Sequence, residues 1–253
     1  MSFHEAPATV ALVIAYDGTD FRGFAAQGDD VRTVAGELNR VLSKVTRRKV
    51  EVACAGRTDA GVHAWGQVVS FAARTSADLT RIVRALNGML GPEIVVRDAW
   101  IAADGFDARH SATGRRYRYT VLNTPSADPF LARYAWHVPD ALDLAVMRLA
   151  ADVVIGEHDF ASFCRKGPAG STTKRMVRES HWTDLGNGIL RYEVEATAFC
   201  WQMVRSLVGT LVETGLGKKR PGDMLSILRA RSRAAAGNPA PPHGLCLHEV
   251  TYD

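Results

Sequence analysis

The chain has 253 residues, 47% hydrophobic and 23% charged, which fits a folded protein of one or two domains with a sizeable core. The start, MSFHEAPATVALVIAY, lacks the basic beginning, long apolar stretch and cleavage pattern of a secretory signal, and no run approaches a membrane span. The expected location is the cytoplasm. Net charge is +4 but uneven: residues 1–108 carry 12 Lys/Arg against 13 Asp/Glu, and residues 109–253 carry 19 against 14. The basic excess falls in clusters, among them Arg115, Arg116 and Arg118, then Lys174, Arg175 and Arg178, and Lys218, Lys219 and Arg220. Such clusters suit a polyanion, although a solvated surface would produce the same tally.

In chain order, Val10–Tyr16 is an apolar run fit for a buried strand. Thr33 caps a helix to Thr46 that places Val34, Leu38, Val41, Leu42 and Val45 on one face. Val50–Cys54 and Trp65–Ala72 read as strands, and the run GRTDAGVHA at 56–64 between them reads as a loop. Asp78 caps a second helix, which Gly91 and Pro92 stop, and Glu93–Ile101 follows as a strand. The order strand, helix, strand, strand, helix, strand is ferredoxin-like.

The second half repeats that order. Arg115–Leu122 alternates, with Tyr117, Tyr119 and Val121 on one face. Leu142–Ile155 is helical in pattern, and Val177–Leu185 with Ile189–Ala198 forms a hairpin across Gly186, Asn187 and Gly188. A long helix from Trp201 to Leu216, a short one opened by Pro221, a loop rich in Ala, Pro and Gly, and a strand from Leu245 to Tyr252 complete the chain. The expected fold is α+β: two ferredoxin-like (βαββαβ) halves, residues 1–108 and 109–253, with antiparallel sheets meeting at a central cleft. The boundary is expected near Phe106–Gly114.

Cys54, Cys164, Cys200 and Cys246 form no C-x-x-C pair and sit in apolar neighbourhoods, so they read as reduced thiols rather than zinc ligands or a disulfide framework. No histidine pair has the helical spacing of a metal site. Asp59 stands out because Gly56 and Gly61 let the backbone turn tightly and approach a substrate while the carboxylate points outward. Most loop aspartates only cap turns. An aspartic protease would need Asp-Thr-Gly or Asp-Ser-Gly twice, whereas Asp59-Ala60-Gly61 occurs without a second copy.

Six ordered segments carry a resemblance: YDGTDFRGF at 16–24, GRTDAGVHA at 56–64, FDARHSATGRRYRY at 106–119, GEHDFASFC at 156–164, FCWQMVRSLVG at 199–209 and PPHGLCL at 241–247. Together they make the chain resemble, nearly end to end, the TruA family of tRNA pseudouridine synthases. The resemblance implies an isomerase that detaches a uridine base in the anticodon arm of tRNA, at positions 38, 39 or 40, rotates it and rejoins it through C5. It implies Asp59 as nucleophile, toward either ribose C1′ or uracil C6. Tyr117 would pack on the target uracil and help remove the C5 proton. Arg205 would pair with Asp59, and Arg57 would wedge into the base stack as the nucleotide flips out. By periodicity alone Tyr117 is a core residue and Arg205 marks a polar helix side.

By the same resemblance the enzyme needs no cofactor or metal and is a homodimer. One departure is plain: the family's Trp-Gln-x-Gln after the first motif's glycine is replaced by Phe24, Ala25, Ala26 and Gln27. The alternatives are a noncatalytic tRNA-binding or folding protein, which would gain nothing from a carboxylate facing phosphates, and a glycosidase, which usually needs two cooperating carboxylates.

Overall fold

The computed structural model describes residues 6–28, 30–167 and 170–253. The first five residues, part of the start read above, lie outside them. The fold is α+β, and the chain divides into two compact units, Met1–Thr113 with Leu247–Asp253, and Gly114–Cys246.

The first unit runs β1 (Pro7–Tyr16), α1 (Val34–Thr46), β2 (Ala53–Cys54), β3 (His63–Arg74), α2 (Leu79–Leu90) and β4 (Ile94–Ala102). β1 lies between β4 and β3, antiparallel to both, and β2 pairs with β3. Val10, Leu12 and Ile14 are fully buried, as are Leu38, Val41 and Leu42 of α1. Thr33 Oγ1 accepts the Gly36 amide at 3.1 Å and Asp78 Oδ1 accepts the Arg81 amide at 2.9 Å, so both helices start where a side-chain oxygen satisfies a free backbone donor. β2 is shorter than the alternation predicts. The amides of Val50 and Val52 are donated to Ser43 Oγ and Asn39 Oδ1 of α1, at 2.9 and 3.0 Å, and this claims backbone groups that a longer ladder would need.

The rest of the chain comprises β5 (Ala112–Leu122), β6 (Trp136–His137), α3 (Leu144–Asp152), β7 (Gly156–Asp159), β8 (Lys174–Asp184), β9 (Ile189–Ala196), α4 (Met203–Gly215), α5 (Asp223–Ala230) and β10 (Leu245–Tyr252). In the second unit the strands lie in the order β5, β9, β8, β7, antiparallel throughout, and β6 pairs parallel to β5. β10 comes last in the chain, yet from Leu247 onward it groups with the first unit, beside β3. The β8–β9 hairpin turns through Gly186, Asn187 and Gly188, all at positive φ. α4 begins at Met203 rather than Trp201 because Gln202 takes φ +62°, outside the right-handed helical region.

One expectation is overturned. Cys164 and Cys200 are joined in a disulfide, with Cα atoms 5.7 Å apart, while Cys54 and Cys246 are not disulfide-bonded. Residues 36 apart in sequence meet because the turn after β7 folds back against the start of α4, where the Arg165 amide donates to the Trp201 carbonyl at 2.9 Å. Among the described residues no helix is long and apolar enough to cross a membrane.

In the second unit, residues 237–240 lie directly on α4. The Ala240 amide donates to the Arg205 carbonyl at 2.9 Å, and the Gly237 amide to Thr210 Oγ1 at 2.9 Å. A Cβ on Gly209 would stand 1.8 Å from the Asn238 carbonyl oxygen. Gly209→Ala should therefore lift this segment and cost about 1–3 kcal/mol, lowering Tm by roughly 2–10 °C in a chain of this size. Thermal unfolding followed by circular dichroism checks this; an unchanged Tm would refute the close approach.

Candidate active site

The GRTDAGVHA run forms the loop from β2 to β3, and a buried polar cluster grips it. Gln67, fully buried on β3, donates Nε2 to the Gly56 carbonyl at 2.6 Å and accepts the Gly56 amide on Oε1 at 3.3 Å. A single side-chain amide thus satisfies both backbone groups of one loop residue. Two residues on, Thr58 Oγ1 shares a hydrogen bond with Tyr16 Oη at 2.8 Å, and both residues are buried. Unmatched polar groups this deep would cost more than the bonds contribute, so the cluster defines one loop position.

The segment after β1 closes on the same loop. The Phe24 amide donates to the Thr58 carbonyl at 3.0 Å, and the Gly18 amide to His63 Nδ1 at 3.0 Å. A Cβ on Gly18 would lie 2.0 Å from the Val62 carbonyl oxygen, a distance only glycine escapes. Gly23 sits at φ +94°, and a Cβ there would stand 3.0 Å from the Thr58 carbonyl oxygen. These contacts explain why the YDGTDFRGF and GRTDAGVHA runs occur together: they are two sides of one backbone crossing. Phe24, where the chain departs from the Trp-Gln pattern, is 2% exposed, with its ring 6.2 Å from that of Tyr16. It packs under the loop, whereas Gln27 is exposed and donates to the Arg22 carbonyl.

On this support Asp59 and Arg57 are both exposed, alternating with buried Thr58. The Val62 amide donates to the Asp59 carbonyl at 3.2 Å, closing a turn through Gly61 at φ +76°. The turn uses the Asp59 backbone. Cys54, at the end of β2, is no competing nucleophile. Burial pushes its thiol up to about 11 against the opposing pull of Arg57, so it stays protonated at neutral pH.

Tyr117 and Arg205 belong to the second unit. Tyr117 lies on β5, 8% exposed, and its ring meets Phe199 edge to face with centroids 4.9 Å apart. Arg205 is half-buried on α4 and donates Nε to the Ala240 carbonyl at 2.7 Å, which fixes the direction of its guanidinium. Of the basic residues singled out on β5, Arg115 is buried and donates to the Thr197 carbonyl at 2.7 Å. Arg116 pairs with Glu179 and Glu195 at 2.6 and 2.5 Å, and Arg118 pairs with Glu193. Their charge is thus partly balanced within their own sheet. Among the described residues no group of three or more His, Cys, Asp or Glu is arranged to hold a metal ion.

The sequence reading missed Gln67, Tyr16, Gly18 and His63 as supports of the loop. Gln67 had a visible signal, a lone amide inside the apolar run WGQVVSFA. Gln67→Leu leaves the Gly56 amide and carbonyl without their side-chain partner, at a cost of about 1–3 kcal/mol. Hydrogen exchange should show the Gly56 amide opening roughly tenfold faster or more, with the β1–β3 ladder unchanged. Equal protection in the variant would show that Gln67 does not hold the loop.

A sequence profile described as tRNA pseudouridine synthase matches residues 12–109 and 150–253. The chain is 38% identical over 244 residues to tRNA pseudouridine synthase A of Fervidobacterium nodosum, covering 96% of this chain and 99% of that protein. It is 41% identical over 242 residues to the protein of the same name from Bacillus subtilis, covering 95% and 97%. A Moorella thermoacetica relative of that name is 40% identical over 95% of this chain and 98% of its own length. The loop bearing Asp59, the strand that grips it and the helix bearing Arg205 all fall within the matched residues, and the chain belongs to the tRNA pseudouridine synthase family.

Proposed function

We propose that the protein isomerises uridine to pseudouridine in the anticodon arm of tRNA, at positions 38, 39 or 40, with Asp59 as nucleophile. The observation that carries this reading is an exposed carboxylate on a loop whose neighbours, Gly56 and Thr58, are tied to buried side chains. A nucleophile must be held in place while remaining open to a large substrate, and the loop meets both requirements.

In the proposed reaction the Asp59 carboxylate attacks ribose C1′ or uracil C6. The N1–C1′ bond breaks, the base turns and C5 bonds to C1′; the bond to Asp59 then breaks to restore the carboxylate, and the C5 proton leaves as N1 takes up a proton, giving the product. Atoms balance within one nucleotide, so the scheme needs no redox partner or cofactor. The target nucleotide must leave the stack, and exposed Arg57 beside Asp59 would fill the gap. Tyr117 would cover the uracil and accept or relay the C5 proton. Arg205 would be the counter-charge to Asp59.

The ferredoxin-like reading of the first half is supported by its βαββαβ order and by strands placed β4, β1, β3, β2. The second half follows with β5, α3, β8, β9 and α4. The reading keeps the two functional halves, residues 1–108 and 109–253, and includes a homodimer acting in the cytoplasm.

Tritium release from tRNA labelled at uridine C5 tests the proposal. Wild type should release the label, and Asp59→Asn should fall to background while still binding tRNA; no release by wild type would leave the noncatalytic RNA-binding reading. Arg205→Met should lower single-turnover rates about tenfold or more with little change in binding. A wild-type single-turnover rate in Arg205→Met would remove Arg205 from this role.

A further inference from the structure

A second surface near the loop has no part in the reaction just described. Trp65, third residue of β3, is 51% exposed, an uncommon position for so large an apolar ring. The Arg97 guanidinium lies over it, 4.0 Å from the ring centroid, and Arg97 Nη1 donates to the Trp65 carbonyl at 3.0 Å. Trp65 and Arg97 come from β3 and β4, the two strands flanking β1, and small Ala15 of β1 lies in the concave surface they line. Pro92, Val95 and Asp17 complete its walls. The backbone beneath Trp65 is also fixed, since a Cβ on the next residue, Gly66, would come within 2.4 Å of the His248 carbonyl oxygen.

We propose that Trp65 and Arg97 form a stacking platform for one unpaired base of the substrate RNA, distinct from the uridine that reacts. This rests on the RNA reading above. A tryptophan face and a guanidinium plane held together present a flat, cationic surface, which matches the face of a nucleobase and its attached phosphate. Asp17, with Oδ1 accepting the Thr19 amide and hydroxyl at 3.0 and 2.6 Å, puts a carboxylate in the wall. That charge repels a phosphate and favours the amino edge of a base, so the base fills the hollow and the backbone runs on the Arg97 side. Trp65 lies six positions after Asp59, a tether of about 20 Å at most. The stacked base therefore lies within a few nucleotides of the target, in the loop of a stem-loop where bases are unpaired.

The test uses the full chain and an anticodon stem-loop RNA carrying a single abasic nucleotide at each loop position in turn. With wild type, one position other than the target should weaken binding by about tenfold, within the range that stacking on an aromatic residue supplies. Trp65→Ala should weaken binding of the intact RNA by a similar factor and abolish the penalty at that position, with the single-turnover rate at saturating RNA kept. Trp65→Phe should restore most of the affinity. Arg97→Ala should weaken binding and flatten its salt dependence. Because both side chains are solvent-facing, thermal unfolding should confirm that the variants are folded. Unchanged affinity in Trp65→Ala, or an abasic penalty that survives it, overturns the platform. So does a change in sedimentation of Trp65→Ala without RNA, which would assign the surface to contact between copies of the chain. If wild type fails to release tritium, the RNA reading falls first; if wild type is active and Trp65→Ala matches it in affinity, only the platform falls.

Discussion

The grip of Gln67 on Gly56 is the constraint on which the candidate site depends. A primary amide carries its donor and its acceptor on separate atoms, so one side chain can donate to a carbonyl and accept from the amide of the same residue, and here it does so at zero exposure. The Tyr16–Thr58 hydrogen bond and the amide of Phe24 hold the next turn of the loop. With Gly56 and Thr58 tied down, the intervening Arg57 and the following Asp59 have only the outward direction left. An exposed charged group on a backbone fixed from beneath is preorganised without being buried, which avoids the desolvation cost of an interior carboxylate.

The same economy of space recurs on α4. Gly209 lets residues 237–240 lie against the helix, and the Ala240 carbonyl then receives Arg205 Nε. Burial pushes the Tyr119 hydroxyl's pKa upward, so it remains a donor, to the Pro241 carbonyl at 2.8 Å. Both β5 tyrosines thus point to the apolar side of their sheet, while Arg116 and Arg118 on the other side meet carboxylates of β8 and β9. These part-exposed ion pairs contribute modestly to stability, but they set which arginines of the second unit face their own sheet rather than a polyanion.

Much of the local structure was legible beforehand. Thr33 and Asp78 are caps in the sequence and in the fold, and Gly91 ends α2 where its pairing with Pro92 predicts. Misplaced boundaries have local causes, such as the left-handed Gln202 before α4 and the helix side chains that take the amides of Val50 and Val52. β6 and β7 escaped notice because two and four residues are too short to show a period. The Cys164–Cys200 bond was misread because neither spacing nor apolar surroundings reveal which turns meet.

From the sequence alone come the helices and strands with long enough periods, YDGTDFRGF and GRTDAGVHA as two of six ordered motifs, and Asp59 as the carboxylate to consider. Tertiary structure alone decided what those motifs do to each other. Gln67 reaches Gly56 across 11 residues, Tyr16 reaches Thr58 across 42 and Gly18 reaches His63 across 45. Each contact depends on strand register and on a carbonyl approaching a missing Cβ. Hydrophobic periodicity states which face of a strand is buried, but not which distant backbone atom will lie opposite it.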